Sequence, residues 1–94
     1  MKKIVINSCY GGFGLSKLAL EQYAQLTGID PNTLHADDIP RDDEHLVAIV
    51  EKLDIKANGT YAKLKVVPIP DNVQWQVEEY DGREWIAEVH RTWN

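Results

Sequence analysis

The chain has 94 residues, a formal net charge of −5 and a single cysteine. One cysteine excludes an intramolecular disulfide, so the sequence requires no oxidising compartment and we expect a cytoplasmic protein. Proteins that bind a nucleic-acid polymer normally carry a cluster of basic residues. No such Lys/Arg cluster is present here, which disfavours that class of partner.

The composition is typical of one folded domain over residues 1–94. Apolar residues make up 44% of the chain, and three Trp and four Tyr contribute to them, which is enough for a core without staples. The apolar run behind Lys2 and Lys3 is only about four residues long. Because this is too short for a signal-peptide core or a membrane span, we expect no membrane partner.

The first predicted element is a short strand. Ile4, Val5 and Ile6 are consecutive and mostly β-branched, which is typical of a strand covered on both faces. A loop with three glycines in four positions, residues 11–14, follows it. Apolar residues then recur every three or four positions from Leu15, which indicates an amphipathic helix.

Two helices are predicted from these periodicities and from their capping residues. The first covers 16–27, with Ser16 as N-cap and Gly28 as the closing residue. The second begins after Asp42 or Asp43 and ends near Leu53. The connection between them, 29–42, is rich in Asp, Asn and Pro, and is either a packed surface loop or a functional one.

Three strands are predicted in the remainder of the chain. Pro68 and Pro70 end the first of them or place it at a sheet edge. Asp81 and Gly82 form the strongest hairpin signal in the sequence and join the last two strands. The predicted strands cover 61–67, 73–78 and 85–89.

The predicted order is therefore β-α-α-β-β-β. We expect an α+β fold of two layers, with a largely antiparallel sheet of three or four strands and both helices on one face. Within it we expect Trp75 and Trp85 to belong to the core, and we leave Trp93 open. The outward faces of the strands are expected to carry the glutamates Glu78, Glu79, Glu84 and Glu88.

The glycine-rich loop is the first candidate site. A strand, a glycine loop and a helix N-terminus together can bind an anion through loop amides and the helix dipole, with Asn7 and Ser16 supplementing them. The alternative is a structural turn that needs positive φ, with Phe13 inserted into the core. The loop matches neither the Walker A spacing nor the dinucleotide spacing, at which Lys17 replaces the third glycine.

Cys9, just before the loop, admits a catalytic interpretation and a structural one. As a nucleophile it would need a base, for which His35, His45 or His90 are available, but nothing in the sequence pairs it with one of them. Leu15 stands where a Cys-x5-Arg phosphatase loop would have arginine. We therefore favour a half-buried structural cysteine, and we assign no catalytic residue, metal site or cofactor.

The segment His90-Arg-Thr-Trp93 completes the candidate site. Arginine beside an aromatic ring can hold a phosphate or stack on a base, and histidine adds a switchable donor. The predicted ligand-binding residues are Asn7, Cys9, Tyr10, Gly11, Gly12, Phe13, Gly14, Ser16, His90, Arg91 and Trp93.

The run Lys3–Ser16 resembles a group of small, mostly uncharacterised proteins encoded by phages and prophages, which open with KIVIN-x-C-[YF]-GGFGLS. The resemblance continues at 39–43, 62–67, 69–71, 79–82 and 90–93. It implies a small accessory protein that acts in the cytoplasm of a bacterial host cell, where such proteins often block host components or sequester nucleotide signals. It implies no catalytic residues.

From these observations we predict a non-enzymatic protein that binds a small anionic ligand, such as a nucleotide signal, in a counter-defence role. One alternative is a protein–protein inhibitor of a host factor that uses exposed aromatic residues and the acidic 30–43 loop. The other is a small hydrolase or transferase dependent on Cys9. We also expect a homo-oligomer, because a small domain can complete its pocket between copies.

Overall fold

A computed structural model of the chain describes residues 1–89, so the predicted site residues His90, Arg91 and Trp93 lie outside the described part. The α+β class and the order β-α-α-β-β-β are confirmed. Short 3-10 helices precede and follow the second α-helix, at Ala36–Asp38 and Asp54–Ala57. The main elements are β1 (Lys2–Asn7), α1 (Lys17–Thr27), α2 (Glu44–Leu53), β2 (Leu64–Ile69), β3 (Trp75–Tyr80) and β4 (Arg83–Glu88).

Both helices begin at the predicted caps, and α1 also ends at the predicted Gly28. The Ser16 side chain accepts from the Ala19 N–H, and Gly28, with φ +75°, closes α1 in the left-handed conformation. Asp43 caps α2 by accepting from two backbone N–H groups of its first turn. Local capping chemistry therefore determines where each helix starts.

The helices cover one face of the β1–β2 pair and form the main core there. Val5 of β1 is fully buried, and its side chain belongs to the same cluster as the apolar faces of α1 and α2. Leu34 and Ile39 from the 29–42 connection are also buried in this cluster, so the connection is a packed surface loop. The main helical contributors are Ala19, Tyr23, Leu46, Ile49 and Val50.

The single sheet of three or four strands was a wrong expectation. The structure has two separate antiparallel pairs, β1–β2 and β3–β4. The outer edge of β1 cannot accept a third strand, because the Val5 N–H donates to the Arg41 carbonyl at 2.8 Å and the Asn7 N–H donates to a Glu84 carboxylate oxygen at 2.8 Å. A loop and a side chain thus occupy the positions that a strand would need.

The β3–β4 hairpin lies over the other face of β1–β2, which adds a third layer to the two that we expected. Ile4 and Ile6 alternate with Val5 and so point away from the helices, yet both are buried. The prediction that the first strand is covered on both faces is confirmed. A groove of about 450 Å³ remains between the two pairs, with apolar walls that include Val67, Ile69 and Trp75.

Two expectations about the hairpin side chains were wrong. Trp85 is 43% exposed and Trp75 is only half-buried outside the main core, so neither belongs to it, whereas Glu84, expected on an outward face, is only 9% exposed. The hairpin turn itself is as predicted, since Asp81 and Gly82 both have positive φ, +52° and +91°. None of the helices formed by residues 1–89 has the length and apolar character needed to cross a bilayer.

Candidate functional site

The glycine-rich loop is pressed against two other turns of the chain. A Cβ atom at Gly11 would overlap the Tyr61 carbonyl oxygen, and one at Gly82 would lie 2.5 Å from the Tyr10 carbonyl oxygen. Gly12 has open space around it but a φ of +99°. The glycines therefore allow three backbone segments to approach more closely than residues with side chains permit.

Asn7 lies beneath the loop and is fully buried. Its Nδ2 donates to the carbonyl oxygens of Cys9 and Gly82, each at 2.7 Å, and its Oδ1 accepts from the Lys63 N–H at 2.8 Å. One side chain thus joins the loop, the hairpin turn and the segment before β2. Its amide is occupied within the protein rather than directed towards a ligand.

A buried carboxylate continues this network on the other side of Asn7. Glu84 accepts from the Asn7 N–H through Oε1 and from both terminal nitrogens of Arg41, at 2.5 and 2.9 Å. The Arg41 guanidinium also stacks on the Phe13 ring, 3.5 Å from its centroid. Phe13 packs partly buried against the core, so the loop is fixed from below as well.

Sequence reasoning missed Arg41 and Glu84. A signal for Glu84 existed in the strand alternation, since Glu84 and Ile86 share one face of β4 and a glutamate on an apolar face needs a partner. No comparable signal marks Arg41, because it lies in the connection before α2 and meets Glu84 only in the folded chain.

Cys9 is half-buried, as we expected of a structural cysteine. Its Sγ lies 3.4 Å from Asn7 Oδ1 and 3.2 Å from the Tyr61 carbonyl oxygen, and its single S–H can donate to either of these acceptors. Neither His35 nor His45 is among these partners. Within residues 1–89 the thiol therefore has acceptors around it but no base.

The supplementary groups of the loop divide into occupied and available ones. The Ser16 hydroxyl donates to the Lys56 carbonyl at 2.7 Å while it caps α1, so it is already engaged. By contrast, the backbone N–H groups of Tyr10, Gly11, Phe13 and Gly14 form no hydrogen bond with any acceptor in residues 1–89. These four amides are the loop donors that have no protein acceptor within residues 1–89.

An exposed set of aromatic side chains surrounds the tip of the hairpin beside the loop. Tyr10 is 60% exposed and Tyr80 is 71% exposed, and Tyr80 lies directly across the hairpin from Arg83. The Arg83 guanidinium is 6.0 Å from the centroid of the Tyr10 ring. Trp85, two positions after Arg83, lies on the same side of β4 and also lines the groove beside β2. We call Tyr10, Tyr80, Arg83 and Trp85 the aromatic face.

Among residues 1–89 no three His, Cys, Asp or Glu side chains are placed together so that they could hold a metal ion. Comparison with family models, with curated proteins and with solved structures finds no match for this chain. The geometry of the loop and of the aromatic face is therefore the basis for a functional proposal.

Proposed function

We propose that this chain is a non-enzymatic binding protein that holds a protein partner against its aromatic face. The observation that carries the proposal is the grouping of Tyr10, Tyr80, Arg83 and Trp85 on one side of the hairpin tip, with three large aromatic rings exposed. Tyr, Trp and Arg are the residues most enriched at the energetic centres of protein interfaces.

The support beneath the aromatic face favours binding by a rigid surface. Asn7 ties the backbone of the loop to that of the hairpin turn, and the Arg41–Glu84 pair ties β4 to the edge of β1. Surfaces that are ordered before binding lose less conformational entropy when they bind. Together with the resemblance to phage proteins, this supports an inhibitor of a host protein in the bacterial cytoplasm.

The chemistry of the aromatic face indicates the kind of partner surface that fits it. The rings offer flat apolar area with hydroxyl or indole donors at their edges, and Arg83 adds a planar cation. A complementary partner presents apolar side chains flanked by carboxylate or carbonyl oxygens. The acidic 30–43 loop is a weaker candidate surface, since its apolar residues Leu34 and Ile39 are buried in the core.

The test is quantitative affinity capture from a bacterial lysate, with the immobilised wild-type chain compared with Tyr80→Ser and Arg83→Ser. Both side chains are solvent-exposed, so each substitution leaves the core contacts in place. We expect the captured amount of a protein that the wild type enriches to fall by about tenfold or more with each variant, as for truncation of a hot-spot residue.

Ile55→Ser is the matched control, because Ile55 is 75% exposed and belongs to the 3-10 helix after α2 rather than to the hairpin. The control is expected to retain the captured protein. Capture that is equal in all variants, or capture of nothing above an unloaded matrix, would contradict a protein-binding role for the aromatic face.

A second candidate function is the binding of a small anion, such as a nucleotide, at the glycine-rich loop. The four loop amides without acceptors favour it, because N–H groups at such a loop are the donors used for phosphate. Native mass spectrometry of the purified chain with and without added nucleotides tests it. A stoichiometric adduct that Gly12→Val abolishes, in a variant that still folds, would support the loop over the aromatic face.

A further inference from the structure

The two antiparallel strand pairs, β1–β2 and β3–β4, differ at their outer edges. On the outer edge of β2 the Leu64 N–H donates to Asn58 Oδ1 at 2.9 Å, and Pro68 has no N–H to offer. A proline on an edge strand and a side-chain cap are two established ways to prevent pairing with another chain. Two of the three outward-facing N–H positions of β2, those of Leu64 and Pro68, are therefore closed to a partner strand.

The outer edge of β3 has neither a proline nor a side-chain cap, and its only charged residues are Glu78 and Glu79. The Val89 N–H donates to the Gln74 carbonyl at 2.9 Å, and hydrogen-bonded pairs alternate along an antiparallel ladder. Trp75, Val77 and Glu79 therefore direct their N–H and carbonyl groups away from β4. Within residues 1–89 no strand pairs with this edge, and β3 contains neither proline nor a bulge.

From this contrast we infer that the open edge of β3 pairs with β3 of a second copy of the chain. The two strands would run antiparallel around a two-fold axis at Val77, whose N–H and carbonyl would bond to those of the partner's Val77. Two hairpins would then form one four-stranded sheet. Such an isologous interface needs a strand that is complementary to itself, and this one is.

The self-complementarity follows from the side chains of β3. Pairing around Val77 places Gln76 opposite the partner's Glu78, and Trp75 opposite the partner's Glu79. Neither pair brings two like charges together, although the strand carries adjacent glutamates. The Gln76 amide already donates to Glu78 within one chain, at 2.9 Å, and it can donate to the equivalent carboxylate across the axis.

Exposure of the hairpin is consistent with a strand that gains a neighbour. Of the twelve positions in β3 and β4, only Glu84 is buried, and a two-stranded hairpin is marginal without further packing. The aromatic face lies on one side of the hairpin, whereas the β3 edge lies in its plane. Self-association at β3 therefore leaves the surface of the proposed function accessible, and the two proposals can fail independently.

The experiment is sedimentation velocity on the full chain over a concentration series, with a protomer mass of 10.7 kDa as reference. We expect a monomer–dimer equilibrium. Gln76→Glu places a carboxylate opposite the partner's Glu78, and the two-fold axis creates this repulsion at two positions in the dimer. The substitution should therefore raise the dimer dissociation constant by about fivefold or more. The double variant Gln76→Glu with Glu78→Lys pairs opposite charges and should restore dimerisation.

Gln25→Glu on α1 is the matched control, since it adds the same charge at an exposed position away from the hairpin. It should dimerise like the wild type. A chain that is monomeric up to about 1 mM overturns the inference, and so does a dimer that Gln76→Glu leaves unchanged.

A second measurement on the wild type protects the test against a variant that does not fold. Amide hydrogen exchange at Val77 should slow by about tenfold or more between dilute and concentrated protein, because its N–H becomes bonded only in the dimer. Exchange at Val77 that is independent of concentration overturns the inference without any substitution.

Discussion

Arg41 donates to both carboxylate oxygens of Glu84, at 2.5 and 2.9 Å, although the two residues are 43 positions apart in the chain. Glu84 is 9% exposed, and its Oε1 also accepts from the Asn7 backbone. The pair therefore joins the connection before α2 to the start of β4 and closes the outer edge of β1. It occupies the edge position that the hairpin would need in order to extend the β1–β2 sheet.

We predict that Glu84→Gln lowers the free energy of unfolding by about 3 kcal/mol, because it leaves the Arg41 guanidinium without its counter-charge in a largely buried site. Urea denaturation at neutral pH measures the effect. Glu88→Gln, the same change at the exposed end of the same strand, should stay within about 0.5 kcal/mol of the wild type. Equal losses in the two variants would show that the ion pair does not anchor the hairpin.

Asn7→Asp is expected to destabilise the fold by about 2 kcal/mol or more, although it changes only an amide to a carboxyl group. The buried Nδ2 donates to two carbonyl oxygens, and a carboxylate oxygen in its place would repel both. Urea denaturation over a pH series measures this. The deficit should shrink at acidic pH, where protonation restores one donor.

Asn72→Asp is the control for this change, because Asn72 is exposed in the loop between β2 and β3. It should unfold like the wild type at neutral pH. An Asn7→Asp variant of wild-type stability would mean that the carbonyls of Cys9 and Gly82 have other donors.

The elements that the sequence predicted correctly depend on interactions between near neighbours. Ser16, Gly28 and Asp43 define the helix ends through bonds to residues at most four positions away, so the pattern was sufficient. The Asp81–Gly82 turn was predictable for the same reason. Its two positive φ angles are a local requirement of a two-residue hairpin.

The parts that sequence reasoning missed depend on contacts between distant segments. The split of the sheet follows from the Arg41 carbonyl bonded to Val5 and from Glu84 at the Asn7 amide, and neither has a local pattern. The candidate site divides in the same way. Positive φ at Gly12 was foreseeable from the loop, whereas the close approach of Gly11 to Tyr61 was not.

Two alanine substitutions in the loop separate these two roles of glycine. We predict that Gly11→Ala costs about 2–3 kcal/mol or more, because the new methyl group meets the Tyr61 backbone, as in an overpacked core. Gly12→Ala should cost only about 1–2 kcal/mol, the penalty for positive φ in open space. Thermal and urea unfolding of both variants tests the ranking, and the reverse order would contradict the observed packing of the loop.

Tyr23 joins the two helices, since its hydroxyl donates at 3.1 Å to Oδ2 of Asp43, the cap of α2. Burial is the largest cause that raises the pKa of Tyr23 above its ordinary value of 10.0, followed by the hydrogen bond to Asp43 and the negative charge of that carboxylate. The folded chain therefore holds the phenol proton more tightly than the unfolded chain does.

The consequence is a loss of stability at alkaline pH that Tyr23→Phe removes. Below pH 10 the stabilising contribution of Tyr23 is fully present, and it decreases as the pH rises from there through the folded-state pKa.

At neutral pH we expect the free energy of unfolding of Tyr23→Phe to be about 1 kcal/mol lower than that of the wild type, because the hydrogen bond to Asp43 is gone. Above pH 10 the two urea-denaturation curves should converge. Tyr80→Phe, at a tyrosine that is 71% exposed and has no hydrogen bond to a carboxylate within residues 1–89, should keep the neutral-pH stability of the wild type. A Tyr23→Phe deficit that is constant from neutral to alkaline pH would mean that the phenol proton is held no more tightly in the folded chain.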